Sequence, residues 1–294
     1  MSKRVALLVL LLSIPATSGA QRKILLGRAV TPSVSIKLFA AVRKISVEGW
    51  DRDSVEMSGV ISTNARADMM GGSSVGAAKG LKIFVEAETE QAGREGTLLL
   101  RVPRNARVWL KTGSADMDVT GVRGGLDLNV VGGSITVHGS PHDVRAESMD
   151  GDVIIDGAPE WLRAKTATGD ITLHGGQDIG AATISGTIRS TGGEVERARL
   201  EATTGAISFA SGVARGASVE IDTHSGPIEI LLAAGSAADL DVSTITGSID
   251  NRFTLNRPNP GSEGRGMTLT SSTGMGGGRI VVRSFKGTVQ VKTR

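Results

Sequence analysis

One pattern recurs through the middle of the chain at a fixed interval. Between Leu126 and Leu173 the segments LDLNVVGGSITV, VRAESMDGDVII and LRAKTATGDITL each contain one glycine at the same relative place. These glycines are Gly133, Gly151 and Gly169, and they are spaced 18 residues apart. Because self-similarity at a short fixed period is typical of stacked repeats, this spacing constrains the fold more than any other feature of the sequence.

We call the recurring glycine the corner of a repeat. Corners follow one another at steps of 17 to 21 residues as far as Gly247, and two further copies are predicted near the C-terminus. We expect glycine there because it tolerates a positive φ. The predicted corners are Ala115, Gly133, Gly151, Gly169, Gly186, Gly205, Gly226, Gly247, Gly278 and Gly287.

Apolar residues stand two and four positions after the corner and five and seven before it, with polar residues between them. This alternation indicates two short strands per repeat. Equivalent residues would then stack about 4.8 Å apart in parallel register, and one buried column would consist of the residues two after each corner. Its predicted members are Met117, Ile135, Val153, Ile171, Ile188, Ile207, Ile228, Ile249, Ile280 and Val289.

A threonine or serine usually stands three residues before the corner, as at Ser148, Thr166 and Thr223. Side-chain hydroxyls at such places form hydrogen bonds to nearby backbone groups and stabilise bends. We expect a structural role for this column. The competing fold, an antiparallel sandwich or propeller, fits less well because propeller blades repeat every ~40 residues or more.

The predicted fold class is therefore all-β, a parallel β-solenoid with two short strands per rung of 18–21 residues. Residues 21–107 show strand periodicity without the repeat, and we interpret them as an N-terminal antiparallel β cap on the first rung. Residues 108–294 are the solenoid, with a loop insertion at 254–266. The charged tail Lys292 to Arg294 is predicted to protect the exposed final edge.

The first 20 residues are predicted to be a secretory signal peptide. Lys3 and Arg4 precede an apolar run, and Ser18 and Ala20 are small residues at the expected cleavage site. A run of about ten apolar residues is too short to span a bilayer, so no transmembrane segment is expected after cleavage. The chain is predicted to be exported, to the periplasm, the cell surface or beyond.

The 33 basic and 30 acidic residues form no basic stripe, which excludes a nucleic-acid partner.

Some segments resemble a known family. The run GWDRDSV from Gly49, the run LRVPRNARVWLKT from Leu100 and the tandem repeats are similar to the DUF4097 family of bacterial exported proteins, often described as adhesins. The resemblance covers about residue 31 to the end. It implies a parallel β-solenoid on or outside the cell envelope, and it supplies no catalytic residues.

The residues themselves give no catalytic, cofactor-binding or metal-binding site. Asp152 and Asp170 follow adjacent corners, and such a pair could bind Ca²⁺ or act as acid and base on a glycan. His138 and His174 should lie two rungs apart with Asp156 between them, about 10 Å from one another. We interpret all of these as solvated residues, and we predict no cofactor.

Three functional hypotheses follow. The first is a non-enzymatic adhesin or cell-envelope binding scaffold, with a cell-surface polysaccharide or an envelope protein as partner. The second is a carbohydrate-active enzyme on a β-helix, although short return loops and few aromatic residues leave no sugar-stacking cleft. The third is an accessory protein of envelope stress sensing. The sequence leaves the oligomeric state open.

Overall fold

The computed structural model describes residues 21–72, 76–89, 96–261 and 265–294. The predicted signal peptide at residues 1–20 and part of the predicted insertion at 254–266 lie outside these ranges. No helix long and apolar enough to cross a membrane occurs in the described part of the chain. The strands are β1 (Gln21–Ala40), β2 (Lys44–Trp50), β3 (Ser54–Ser62), β4 (Ala65–Met70), β5 (Ala78–Ala87), β6 (Thr97–Pro103), β7 (Arg107–Ser114), β8 (Asp116–Thr120), β9 (Gly125–Gly132), β10 (Ile135–His138), β11 (Asp143–Ser148), β12 (Val153–Asp156), β13 (Trp161–Lys165), β14 (Ile171–His174), β15 (Asp178–Thr183), β16 (Ile188–Ala202), β17 (Ile207–Thr223), β18 (Ile228–Leu232), β19 (Ala238–Thr244), β20 (Ile249–Asn251), β21 (Asn259–Pro260), β22 (Met267–Thr273), β23 (Gly278–Ser284) and β24 (Val289–Thr293).

The repeats stack in parallel, as the sequence predicts. Strands before the corner form a first ladder, in which β7, β9, β11, β13 and β15 pair in order. Strands after the corner form a second ladder through β8, β10, β12 and β14, in which Ile135 lies opposite both Met117 and Val153. The long strands β16 and β17 pass from the second ladder into the first, which joins both ladders into one continuous sheet. The chain is a parallel β-solenoid.

The core lies between the two ladders and consists of aliphatic columns. Ile171 and Ile207 are fully buried, as the repeat requires. Burying one such side chain stabilises the fold by roughly 1.5–3 kcal/mol. The apolar column four residues after the corner is interrupted by the buried residue Ser190. Its hydroxyl lies 2.9 Å from that of buried Ser211, so the two hydroxyls form a hydrogen bond with each other beside Phe209.

Close backbone packing, rather than φ, explains most corner glycines. Among the corners, which all lie in the described ranges, only Gly133 has φ in the region that favours glycine, at +137°. A Cβ built on Gly151 would overlap the carbonyl oxygen of Gly133, and one on Gly169 would overlap that of Gly151. The same contact recurs up to Gly247. The positive-φ expectation was therefore wrong for most corners, because the preceding rung occupies the space of the side chain.

The hydroxyl column holds these corners together, as the sequence predicts. The Thr166 hydroxyl accepts the N–H of Gly169 at 3.2 Å and donates to the carbonyl of Gly151 on the preceding rung at 3.0 Å. Ser148 makes the equivalent bonds to Gly151 and Gly133, both at 2.9 Å. Each of these side chains thus stabilises the bend of its own rung and links that rung to the preceding one.

The N-terminal segment pairs in both directions. The antiparallel expectation is correct for β1 with β3, β3 with β6, and β4 with β5. It is wrong for β1 with β7 and for β2 with β8, which are parallel. Strands β1 and β2 already form a rung, because their alternating apolar residues fit the same two ladders. Strands β5 and β6 stack outside that rung, and β3 and β4 cover them.

The C-terminal rungs are not stacked in chain order. Strand β23 pairs with β17 on one side and β19 on the other, and β24 lies between β18 and β20. The prediction of a corner at Gly278 is wrong. Ile280 lies opposite Leu240 and Val219, which stand seven residues before their corners, so Ile280 does not belong to the column two residues after a corner. The final copy has its corner at Gly287. The tail therefore does not form the final edge, since the returning strands fill a gap left between earlier rungs.

The insertion after β20 contributes to the end of the solenoid. Strand β22 pairs antiparallel with β19, and the short β21 pairs antiparallel with β22. The side-chain oxygen of Asn251 accepts the N–H groups of Phe253 and Thr254, which turns the chain out of β20. Both ends of the solenoid are thus covered by antiparallel strands, which limits the addition of further parallel strands.

Replacing Gly169 by alanine tests the corner packing. Because the new Cβ would overlap backbone of the preceding rung, we expect Gly169→Ala to lower the free energy of unfolding by about 1–3 kcal/mol. Gly113→Ala is the matched control, since a Cβ there meets nothing within 4 Å. Urea unfolding of both variants checks this, and equal stabilities would contradict the packing argument.

Candidate functional site

The carboxylates of Asp152 and Asp170, which follow adjacent corners, accept hydrogen bonds from backbone N–H groups of the next rung. A carboxylate oxygen of Asp152 accepts the N–H of Asp170 on the next rung at 2.8 Å. Asp170 accepts the N–H of Thr187 at 2.7 Å and pairs with Arg189 at 3.2 Å. The hydrogen bond from Thr187 is the main reason that the pKa of Asp170 is lowered, with Arg189 adding to it against a smaller effect of burial. These side chains link rungs and do not converge on a common point.

The histidine column is arranged as predicted. His138 and His174 flank Asp156 on neighbouring rungs. The Nδ1 atom of His138 lies 3.4 Å from the carboxylate of Asp156, whereas that of His174 lies 2.6 Å from the hydroxyl of Thr191. Within the described ranges, no group of three or more His, Asp or Glu side chains could hold a metal ion.

One surface feature that the fold does not explain is a row of mostly apolar, exposed side chains, which we call the apolar ridge. It comprises the side chains two positions before the corner. Phe285 is 43% exposed and Ile184 is 57% exposed, although both are large and hydrophobic. In spatial order along the solenoid the ridge contains Val131, Met149, Ala167, Ile184, Thr203, His224, Phe285 and Ile245.

The ridge is held in line by the corners. The N–H of Met149 donates to the carbonyl of Val131 at 3.2 Å, and the N–H of Ala167 donates to that of Met149 at 3.0 Å. The rings of His224 and Phe285 stack with their centroids 4.8 Å apart and their planes 7° from parallel. Eight rungs at a spacing of about 4.8 Å give a ridge roughly 34 Å long.

A shallow groove of about 660 Å³ runs beside the ridge. The ridge residues from Ile184 to Ile245 form one wall. Charged side chains four residues before the corner line the other side, and they include Lys165, Glu201, Asp222 and Arg283. The groove thus combines an apolar wall with a charged one, which is the composition of a recognition surface.

Asp222 is the acid most affected by this setting. Partial burial raises its pKa, and this effect outweighs the opposing attraction of Arg283 and Arg199. Arg283 approaches the carboxylate only to 3.7 Å. Lys165, on the same side of the groove, makes no ion pair with any described residue. The groove therefore holds charges whose pairing within the chain is incomplete.

A family model described as Toastrack DUF4097 matches residues 92–292, which is more than half of the chain. The chain belongs to the Toastrack DUF4097 family. The match begins near β6, so it includes the regular rungs, the ridge and the groove. The resemblance found in the sequence is therefore confirmed.

This Toastrack chain is similar to several solved bacterial structures. A proposed adhesin from Bacteroides fragilis is 12% identical, with 92% of this chain and 97% of that chain covered and a TM-score of 0.44. A proposed lipid-binding protein from Parabacteroides distasonis is 12% identical, with 94% and 98% covered and a TM-score of 0.46. A proposed adhesin from Parabacteroides merdae is 13% identical, with 93% and 97% covered and a TM-score of 0.39. No curated protein matches the chain.

Sequence reasoning did not identify the ridge. It assigned the columns with period two and treated the corner region as a bend, so the position two before the corner was never compared across repeats. Val131, Met149, Ile184 and Ile245 at that position were the available signal. Only the structure shows that these side chains are exposed.

Removing the carboxylate of Asp170 tests its structural role. We expect Asp170→Ala to lower the free energy of unfolding at neutral pH by about 0.5–1.5 kcal/mol, because the Thr187 N–H loses its acceptor. Since the folded pKa of Asp170 is lowered, its ionic contribution is present above the unfolded pKa and is lost as the pH falls below about 4.

Chemical unfolding across this pH range measures the effect. Asp170→Asn is the matched control, because its side-chain oxygen can still accept the Thr187 N–H while the charge is absent. An alanine variant that unfolds like the wild type at neutral pH would show that the hydrogen bond is dispensable.

Proposed function

We propose that this chain is an exported, non-enzymatic adhesin or cell-envelope binding scaffold whose interaction surface is the apolar ridge with its groove. The observation that carries this proposal is that five of the eight side chains along this edge are large, apolar and exposed; they are Val131, Met149, Ile184, Phe285 and Ile245. Contiguous apolar patches on a folded surface mark interaction sites far more often than scattered apolar residues do.

The repeat architecture supports recognition of an extended partner. Every position of the repeat becomes a row, so the ridge presents similar groups at regular intervals of about 4.8 Å. Solenoids use such extended surfaces for binding. A cell-surface polysaccharide or an envelope protein is the class of partner that such a row suits.

The enzymatic alternative has less support. General acid–base catalysis on a glycan requires two carboxyl groups that face one substrate bond. Asp152 and Asp170 instead direct an oxygen at a backbone N–H of the next rung. Glu201 and Asp222 lie in a shallow groove whose lining, among the described residues, consists of strand ends and corner turns.

Binding through the ridge can be measured directly. Fluorescently labelled protein is titrated onto fixed bacterial cells and onto an array of bacterial surface polysaccharides. We expect Ile184→Ser combined with Phe285→Ser to weaken binding at least tenfold, because two exposed apolar contacts are lost. Leu255→Ser is the matched control, since Leu255 is fully exposed and belongs neither to the ridge nor to the lining of the groove.

A reducing-end assay on every polysaccharide that binds separates the two hypotheses. We expect no increase in reducing ends. Turnover that disappears in Asp152→Asn or Asp170→Asn would overturn the non-enzymatic proposal, and equal binding by the ridge variant and the control would overturn the assigned surface.

A further inference from the structure

The apolar ridge and the charged row four residues before the corner are complementary to a reversed copy of themselves. We infer that the partner of the ridge is a second copy of this chain, bound antiparallel about a twofold axis that crosses the ridge between Ile184 and Thr203. The inference rests on the proposed function only in taking the ridge as the interaction surface. In a twofold interface each patch meets the same patch of the other subunit.

The ridge residues pair well in this register. The axis between the rungs of Gly186 and Gly205 places Ile184 of one subunit opposite Thr203 of the other, and Ala167 opposite His224. In both of these inner pairs a small side chain faces a large one. Further out, Met149 lies opposite Phe285, and Val131 lies opposite Ile245. Every pair along the ridge then contains at least one apolar side chain.

The charged row four residues before the corner pairs in the same register. Because the axis lies in the interface and crosses the ridge, this row faces its own reversed copy. Lys165 lies opposite Asp222, and Glu147 lies opposite Arg283. Glu201 faces the small residue Ala182. Each opposite-charge pair occurs twice in the dimer.

The row six residues before the corner follows the same rule. Arg163 lies opposite Glu220, Arg199 lies opposite Gly180, and Arg145 lies opposite Val281. No two like charges meet in the row four residues before the corner, whereas in the row six before it Asp127 lies opposite Asp241 at the outer ends. Complementary charges of this kind fix the register of an interface and suppress others.

Neighbouring registers are disfavoured by repulsion. A shift by one rung in one direction places Glu147 opposite Asp222. A shift in the other direction places Lys165 opposite Arg283 and Glu201 opposite its own copy. A twofold axis along the ridge would instead set each ridge residue against its own copy and carry the charged row to the opposite side of the ridge, where it meets no opposite-charge row of the other subunit. The antiparallel register centred between Ile184 and Thr203 avoids all of these contacts.

Two of these charges, Lys165 and Asp222, have pairing capacity left over within one chain. The other charged residues of the two rows that face an opposite charge already take part in ion pairs of their own chain. Lys165 makes no ion pair with any described residue, and Asp222 has only the 3.7 Å contact with Arg283. Partial burial raises the pKa of Asp222 despite that contact. A lysine ammonium from the second copy would bring a further cation to this carboxylate.

A charge-reversal experiment tests the register. Sedimentation equilibrium over a range of concentrations gives the dimer dissociation constant of the full chain. We expect Lys165→Glu and Asp222→Lys each to raise it at least tenfold, because either change creates two like-charge contacts. The double variant restores both opposite-charge pairs and should return to within about threefold of the wild type.

Cysteine cross-linking tests the antiparallel orientation independently, because the described residues contain no cysteine. In the inferred dimer Val131 faces Ile245, whereas the two copies of Val131 are separated by roughly 34 Å. A mixture of differently tagged Val131→Cys and Ile245→Cys chains should form a mixed disulfide under mild oxidation. Either variant alone should remain uncross-linked.

Several results would overturn the inference. They are a monomer at every concentration, a dimer that is indifferent to both charge reversals, or self-cross-linking of Val131→Cys. Far-UV circular dichroism of each variant separates loss of pairing from loss of fold. If the chain is monomeric but the ridge variant still loses cell or polysaccharide binding, the proposed function stands without this inference. If the dimer forms while cell binding does not depend on the ridge, this inference stands and the proposed function is overturned.

Discussion

At each corner the backbone of one rung occupies the space that a side chain would need on the next. The carbonyl of Gly151 lies where a Cβ of Gly169 would be, and the hydroxyl of Thr166 bridges both corners. This contact sets the register of neighbouring rungs, and register decides which side chains stack. The buried columns, the outward charged rows and the ridge all follow from it, because a slip of one residue would move every side chain to the other face.

The ends of the solenoid show how this contact can be used out of chain order. Strands β23 and β24 enter between rungs that were formed earlier in the sequence, and the corner at Gly287 still packs against that of Gly226. Strands β5 and β6 likewise lie outside β1 and β2. Corners of equivalent geometry therefore pack against each other whatever their order in the chain. The chain can therefore finish inside the stack and leave antiparallel strands at the ends.

The candidate site is a product of the same repetition. A single outward position, multiplied over successive rungs, becomes the apolar ridge, and the position two residues earlier becomes the charged row. The aspartates that first suggested chemistry, Asp152 and Asp170, instead connect one rung to the next. The function that we propose therefore rests on rows of side chains rather than on a pocket, as in the extended binding surfaces of other solenoids.

The sequence by itself determined the solenoid, its parallel direction, the buried columns and the structural role of the hydroxyls, because these depend on local periodicity that every copy repeats. Only the tertiary structure decided the order of the rungs at both ends, since the strands near Gly278 obey the same alternation wherever they are placed. It also decided that the side chains of the ridge point outward. Exposure at a bend depends on how the next rung packs against it, and that packing is not encoded in any single repeat.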